Sequence, residues 1–171
     1  MYQKGDYIVY GASGTCKVED VTRLSIPGTD GKRKYYVLRP VNSSKSTIYS
    51  PVNNEKVRIR DVISASEMEE ALQKIAELQA VVIENEKLRE ETYKEILRNA
   101  DFRQCVSLAY ILFQKRKERL DQGRKFTAVD ERYLHEVIGV LCTEVSVVLQ
   151  MDKASAQGLL ERSLKQALVH T

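Results

Sequence analysis

Residues 1–24, MYQKGDYIVYGASGTCKVEDVTRL, decide how this chain is read. Tyr7 and Val9 alternate with Ile8 and Tyr10, the two-residue period of a strand with two different faces. Gly11 and Gly14 bracket a tight turn, where a missing Cβ makes positive φ inexpensive. A second strand is expected from about Thr15 to Ile26, ended by Pro27-Gly28-Thr29-Asp30-Gly31, a strong hairpin-loop signal. Lys34–Pro40 (KYYVLRP), Ser46–Pro51 and Val57–Ile63 supply three more strands. Five short, strongly bent strands in so little chain predict a small five-stranded β-barrel.

The punctuation changes at Asp61. Beyond it there is no proline, and the glycines are only Gly123, Gly139 and Gly158. Ser64 with Glu67 has the form of a capping box, opening a helix from about Ala65 to Gln79. Met68, Ala71, Leu72, Ile75 and Leu78 give that helix one apolar face. A second helix is expected over 84–98 and a third from Phe102 to Leu120, capped by Asp101 and ended by Gly123. A fourth runs from the Thr127/Asp130 pair to about Leu149, and a fifth from the Asp152 cap to near Leu168. The fold class is therefore α+β in two domains: an SH3-like or Tudor-like barrel over 1–63, then an all-α bundle of about five helices over 64–171. Tudor-like barrels sometimes hold methylated side chains in aromatic cages. Tyr7, Tyr10, Tyr35, Tyr36 and Tyr49 are the rings available for one, although core packing is the commoner use.

Apolar residues make up 43% and charged residues 30% of the chain, as in ordinary soluble proteins. The longest apolar run, Val137 to Leu149, is interrupted by Gly139, Thr143, Glu144 and Ser146 and is too polar to span a membrane. MYQKGDYIVYG lacks the apolar core of a signal peptide, so a cytoplasmic location is expected. Cys16, Cys105 and Cys142 are odd in number and far apart, with no CxxC pair. They read as buried structural thiols, not as a disulfide framework or metal site. His135 falls on a helix and His170 in the terminal tail, so no ligand cluster forms. No nucleotide-binding, hydrolase or metalloprotease motif occurs. Neither catalysis nor a cofactor is expected.

The net charge of +3 hides an asymmetry: residues 1–60 carry eleven Lys and Arg against five Asp and Glu, while the remainder is net acidic. A basic barrel suits an acidic partner surface. In the helical half the cations concentrate in one ridge, Lys115, Arg116, Lys117 and Arg119, followed by Arg124 and Lys125. Lys115 and Arg119 lie four apart and share a helix face. Such a ridge can meet several phosphates, giving salt-dependent, sequence-independent affinity. It can equally be a solvated helix C-terminus, where cations are favoured by the macrodipole.

In order and spacing these features resemble the CarD/CdnL family of bacterial transcription regulators. The resemblance is carried by KGDYIVYGASGTCKVEDV, YYVLRP, IYSPV and VRIRDVIS in the first half. In the second it is carried by YKEILRNAD and QKRKERLDQGRKFTAVDERYLHEV. Together they cover roughly residues 4–150. The resemblance implies a factor that does no chemistry. Its Tudor-like domain, 1–63, would dock on the RNA polymerase β subunit. Its helical domain, 64–171, would touch promoter DNA at the upstream edge of the bubble and stabilise the open complex. The implied polymerase contacts are Arg23, Leu24, Ile26, Ile48 and Tyr49, with Arg23 as the ion-pairing group and the others as apolar contact. Alternation leaves open that Ile26 and Ile48 instead face the barrel core. An open edge strand would also permit sheet extension with the partner.

The implied DNA contacts are Val82, Lys87, Arg89, Lys115, Arg116, Arg119 and Lys125. Members of the family carry a tryptophan wedge just before the second helix of this half, and this chain has no tryptophan. The spacing back from YKEILRNAD places Val82 or Ile83 at that position. An apolar wedge other than tryptophan can still pry at a base step. The run Val81-Val82-Ile83 favours burial between helices over a wedge, and Glu84, Glu86, Glu90 and Glu91 disfavour close approach to phosphate. A second class of function therefore stays open: a polymerase-docking or scaffold factor whose helical half binds protein and not DNA.

Overall fold

Gly11 and Gly14 take positive φ, 47° and 76°. They turn β1 (Tyr7–Tyr10) into β2 (Thr15–Arg23) through one turn of 3-10 helix, Gly11–Ser13. β3 (Lys34–Pro40), β4 (Ile48–Pro51) and β5 (Ile59–Asp61) complete one antiparallel sheet in the order β4-β3-β2-β1-β5. This computed structural model describes residues 1–43 and 45–169, and His170 lies outside them. The strands are those expected: β3 keeps its whole expected range, and the others are trimmed by a few residues at one or both ends. The sheet is barrel-like but open, with β4 and β5 as its two edges. A register shift between Val18 and Asp20 puts a bulge in β2, which strengthens local twist and lets this strand, the longest of the five, bend.

One face of the sheet buries Ile8, Tyr10, Cys16, Val18, Tyr36 and Leu38 as its own core. The helices follow their caps. Ser64 and Glu67 form the reciprocal capping box that opens α1 (Ala65–Gln73). Asp101 accepts from Gln104 N at 2.9 Å and starts α3 (Phe102–Asp121). Thr127 opens α4 (Ala128–Val148), and Asp152 accepts from Ser155 N at 2.7 Å at the head of α5 (Lys153–Val169). α1 stops at Gln73, short of Gln79, and gives way to a 3-10 turn at Ile75–Glu77 that drops Ile75 into the core. α2 (Arg89–Asn99) starts later than expected, after a second 3-10 turn at Glu86–Leu88. Between the two turns stands the β-branched run Val81–Ile83, whose restricted χ1 disfavours helix.

The helices share a second, larger core that includes Met68, Tyr93, Phe102, Leu108, Leu141 and Leu160. The two units are tied together where the opposite face of the sheet meets α4. There Val9 and Thr15, cross-strand partners, are both buried. Thr15 N donates to Thr143 Oγ1 at 3.0 Å, and that hydroxyl donates onward to the Val140 carbonyl at 2.6 Å. A Cβ on Gly14 would come within 2.8 Å of the same Oγ1, so glycine is required there by contact as well as by φ. Beside it, Arg60 of β5 places both terminal nitrogens on the buried Glu144 carboxylate, at 2.7 and 2.8 Å. Arg60 Nε donates to the Ala100 carbonyl at 2.7 Å, and Ile63 N donates to Glu144 at 3.0 Å. Among the described residues, no single helix is long and apolar enough to cross a membrane.

Candidate functional site

The open edge β4 and the adjoining end of β2 form the first candidate surface. Register pairs Tyr49 with Val37 of β3 on the face opposite the sheet core, and Tyr49 is 45% exposed. Arg23, the last residue of β2, is exposed and pairs in register with Lys34. Leu24 is half-buried and Ile26 is 39% exposed, in a loop braced from within. The Thr29 hydroxyl donates to the Ile26 carbonyl at 2.7 Å, and Asp30 N donates to Tyr35 Oη at 2.9 Å. Across the same face Arg39 grips Glu19 at 2.7 Å. That hydrogen bond holds the Glu19 carboxyl below its ordinary range. Ile48 is the exception: it packs against the sheet core, because it stands one residue from Tyr49 and strand parity turns it inward. Four of the five sequence-derived contacts are therefore available to a partner wholly or in part, and Ile48 is a packing residue.

The tyrosines divide between core and surface. Tyr10, Tyr35 and Tyr36 are buried, and their hydroxyls accept from Asn54 Nδ2, Asp30 N and Tyr2 N. Only Tyr7 and Tyr49 of the five remain exposed. Three of the rings are thus structural.

Residues 2–63 match the family model of the CarD-like/TRCF RID domain. The N-terminal sheet unit is a CarD-like RNA polymerase-interacting domain. The match ends at Ile63, one residue before the Ser64 cap.

The helical half treats its expected DNA contacts differently. Arg89 turns inward, with Nε 2.9 Å from Asp130 Oδ1. Lys115 reaches Asp130 Oδ2 at 3.1 Å and also pairs with Glu86. Asp130 is fully buried and takes further hydrogen bonds from Tyr93 Oη at 3.0 Å and Thr127 Oγ1 at 2.9 Å. Burial alone would raise its pKa. The donors Arg89, Lys115, Thr127 and Tyr93 together outweigh that and hold the carboxyl below its ordinary range. Arg89 and Lys115 are therefore structural cations, and a phosphate would have to displace a buried carboxylate to reach them. Arg116 lies 4.7 Å over the Phe113 ring, and Arg119 Nη1 donates to the Lys125 carbonyl at 3.2 Å. Lys117 pairs with Asp121 at 3.0 Å. Lys87, Arg124 and Lys125 are exposed and make no ion pair among the described residues.

Val82 corrects the sequence reading more sharply. It is 71% exposed, while its neighbours Val81 and Ile83 pack against the helical core. In an extended segment alternate residues point opposite ways, so one apolar residue of three is turned out. The segment is held in place beside α3. Ile83 and Glu86 share a cleft with Ile111, Gln114 and Lys115, and Arg89 Nη1 donates to the Glu86 carbonyl at 3.1 Å. Val82 and Lys87 thus stand exposed on a segment whose Glu86 is paired to α3 through Lys115.

The residues that sequence reasoning missed are acids. Asp130 was legible only as a cap partner of Thr127, and Glu144 only as a break in an apolar run. A lone carboxylate inside an apolar helix is nevertheless a signal, since it has to find a cation or stay unpaired in the core.

Proposed function

We propose that this chain is a non-catalytic transcription factor of bacterial cytoplasm. Its sheet unit docks on the β subunit of RNA polymerase, and its helical unit meets promoter DNA at the upstream edge of the bubble, stabilising the open complex. The observation that carries the docking half is the family match over 2–63 together with an exposed Tyr49 on an open edge strand. An aromatic anchor beside unpaired strand backbone suits both a side-chain hot spot and sheet extension. The DNA half is supported by the exposed Val82 and by the exposed cations Lys87, Arg124 and Lys125. A non-catalytic role is supported by the thiols: burial pushes Cys142, which lines the same cavity as His135, up to about 11.

The inward turn of Arg89 and Lys115 favours the second reading, in which the helical unit contacts protein only. Titration of labelled promoter fork DNA by fluorescence anisotropy, with and without polymerase, separates them. The DNA reading expects a longer-lived fork complex when the factor joins polymerase, weakened by Lys125→Ala. A polymerase–fork complex unchanged by the factor overturns it. Docking is tested by binding of the full chain to purified polymerase and to isolated β subunit. Arg23→Ala with Tyr49→Ala is expected to weaken both, and parental binding by the double variant overturns the assigned edge.

A further inference from the structure

The basic ridge has a second side. Lys115 points from α3 toward α2 and α4, whereas Arg116, Lys117 and Leu120 border a groove of about 450 Å³. The opposite wall of that groove is the C-terminal end of α5, with Lys165, Leu168 and Val169. Phe113 and Leu168 give it an apolar lining. Leu120 and Val169 stand out at 61% and 80% exposure on its two walls. Two large apolar side chains facing one groove differ from singly scattered surface residues, and mark an interaction surface. The rim is cationic: Arg116, Lys117 and Lys165, against Asp121 alone.

We infer that this groove is a docking site for an acidic amphipathic helix of a partner protein. Charge selects the occupant. Arg116 and Lys165, beside a Lys117 already paired to Asp121, flank an apolar lining. They complement a helix that puts aliphatic anchors at i, i+3, i+4 and i+7 on one face and carboxylates on its flanks. A second copy of this chain is disfavoured, because a two-fold contact would bring Arg116, Lys117 and Lys165 against their own counterparts. DNA is disfavoured because phosphates would leave Leu120 and Val169 facing water. The inference stands apart from the docking edge on the sheet, and each can fail without the other.

The test uses the full chain and a fluorescein-labelled synthetic helical peptide with leucines at i, i+3, i+4 and i+7 and glutamates at its flanks. Its counterpart with lysine at every glutamate is the control. The glutamate peptide is expected to bind saturably and the lysine peptide not at all. Leu120→Asp is expected to weaken binding about tenfold or more, and Arg116→Glu with Lys165→Glu to reverse the preference. Because Leu120 is exposed, Leu120→Asp should melt within a degree or two of the parent, so loss of binding reads as loss of the site. No saturable binding, equal binding of both peptides, or unchanged binding by Leu120→Asp overturns the inference. So does binding to phosphatidylglycerol vesicles in place of the peptide.

Discussion

In the sheet unit, Arg23 and Tyr49 stand exposed at a strand end and on an open edge. In the helical unit, Arg89 and Lys115 fold inward onto a buried carboxylate. Both sets were expected at an interface, and only the first is presented to solvent. Strand parity is local: once Ile8, Val18 and Leu38 are assigned to the sheet core, their neighbours belong to the other face, which α4 covers at Val9 and Thr15 and solvent meets at Tyr49. A cation on a helix is different, because its counter-ion comes from another helix dozens of residues away. The ridge therefore divides by helical angle. Lys115 serves the fold, and Arg116 with Lys117 borders an apolar groove.

The contrast can be broken most forcefully where the two units meet. Glu144→Ala removes the carboxylate that receives Arg60 and the Ile63 amide. It leaves a guanidinium largely shielded from water and unpaired, a loss of about 3–5 kcal/mol. Urea denaturation of the full chain measures it, and proteolysis near 61–64 should quicken in parallel. The same interface bears on residues 1–63 as an isolated unit. Val9 and the Thr15 amide, buried against the helices in the full chain, would be exposed. The fragment is expected to bind polymerase but to melt below the full chain. A loss under about 1 kcal/mol in Glu144→Ala would mean that the two units are joined only loosely.

Asp130 comes next. Asp130→Asn keeps size but weakens charge-assisted bonds to Arg89 and Lys115, and should cost about 2–3 kcal/mol. Its pH signature is specific. The folded carboxyl sits below its unfolded value, so its stabilisation is complete above about pH 4 and is lost as pH falls through the folded pKa. Parent and Asp130→Asn should therefore stay apart from about pH 5 to 7 and draw together as pH falls through the depressed folded pKa. Parallel curves across the whole range would show that Asp130 is not held charged by these donors.

Most of the architecture was legible for physical reasons that can be named. Turn glycines, the Ser64/Glu67 box and the caps Asp101, Thr127 and Asp152 act within a few residues, and the elements begin close to where they point. The late start of α2 was not legible, since it follows from Ile75 and Ile83 finding the helical core on either side of an extended segment. The burial of Ile48 and the exposure of Val82 depend on which residue of an apolar stretch the chain turns outward. Parity could have placed the first. The second is decided by Glu86 and Arg89 anchoring the segment from one side.

Ile48 and Tyr49 sharpen the comparison within the sheet. Tyr49→Ala should weaken polymerase docking about tenfold or more with stability unchanged, as for an aromatic anchor at an interface. Ile48→Ala should lower stability by about 1–3 kcal/mol, since a partly buried side chain loses less than a fully buried one. Paired denaturation and binding titrations read both. If Ile48→Ala docks poorly while keeping parental stability, parity has been misassigned on β4.

The smallest expected effect concerns the helical surface that remains open. Lys125 is exposed and unpaired among the described residues, so Lys125→Ala should leave stability within about 0.5 kcal/mol. If it meets a phosphate, the slope of log affinity against log salt should fall by about one, equally on unrelated promoter forks. Arg89→Ala would lower stability first, and its effect on DNA would follow from misfolding of the segment that carries Val82. Val82 supplies the complementary test. At 71% exposure it accepts a larger side chain without overpacking, so Val82→Trp should fold and melt like the parent. An indole offers far more surface for stacking on an opened base step than an isopropyl group does. Open-complex lifetime should therefore lengthen with Val82→Trp and change little with Val82→Ala. If Lys125→Ala keeps the parental salt slope and Val82→Trp leaves the lifetime unchanged, this surface does not face the bubble. The helical unit then acts on protein, and the cationic groove between α3 and α5 becomes its working face.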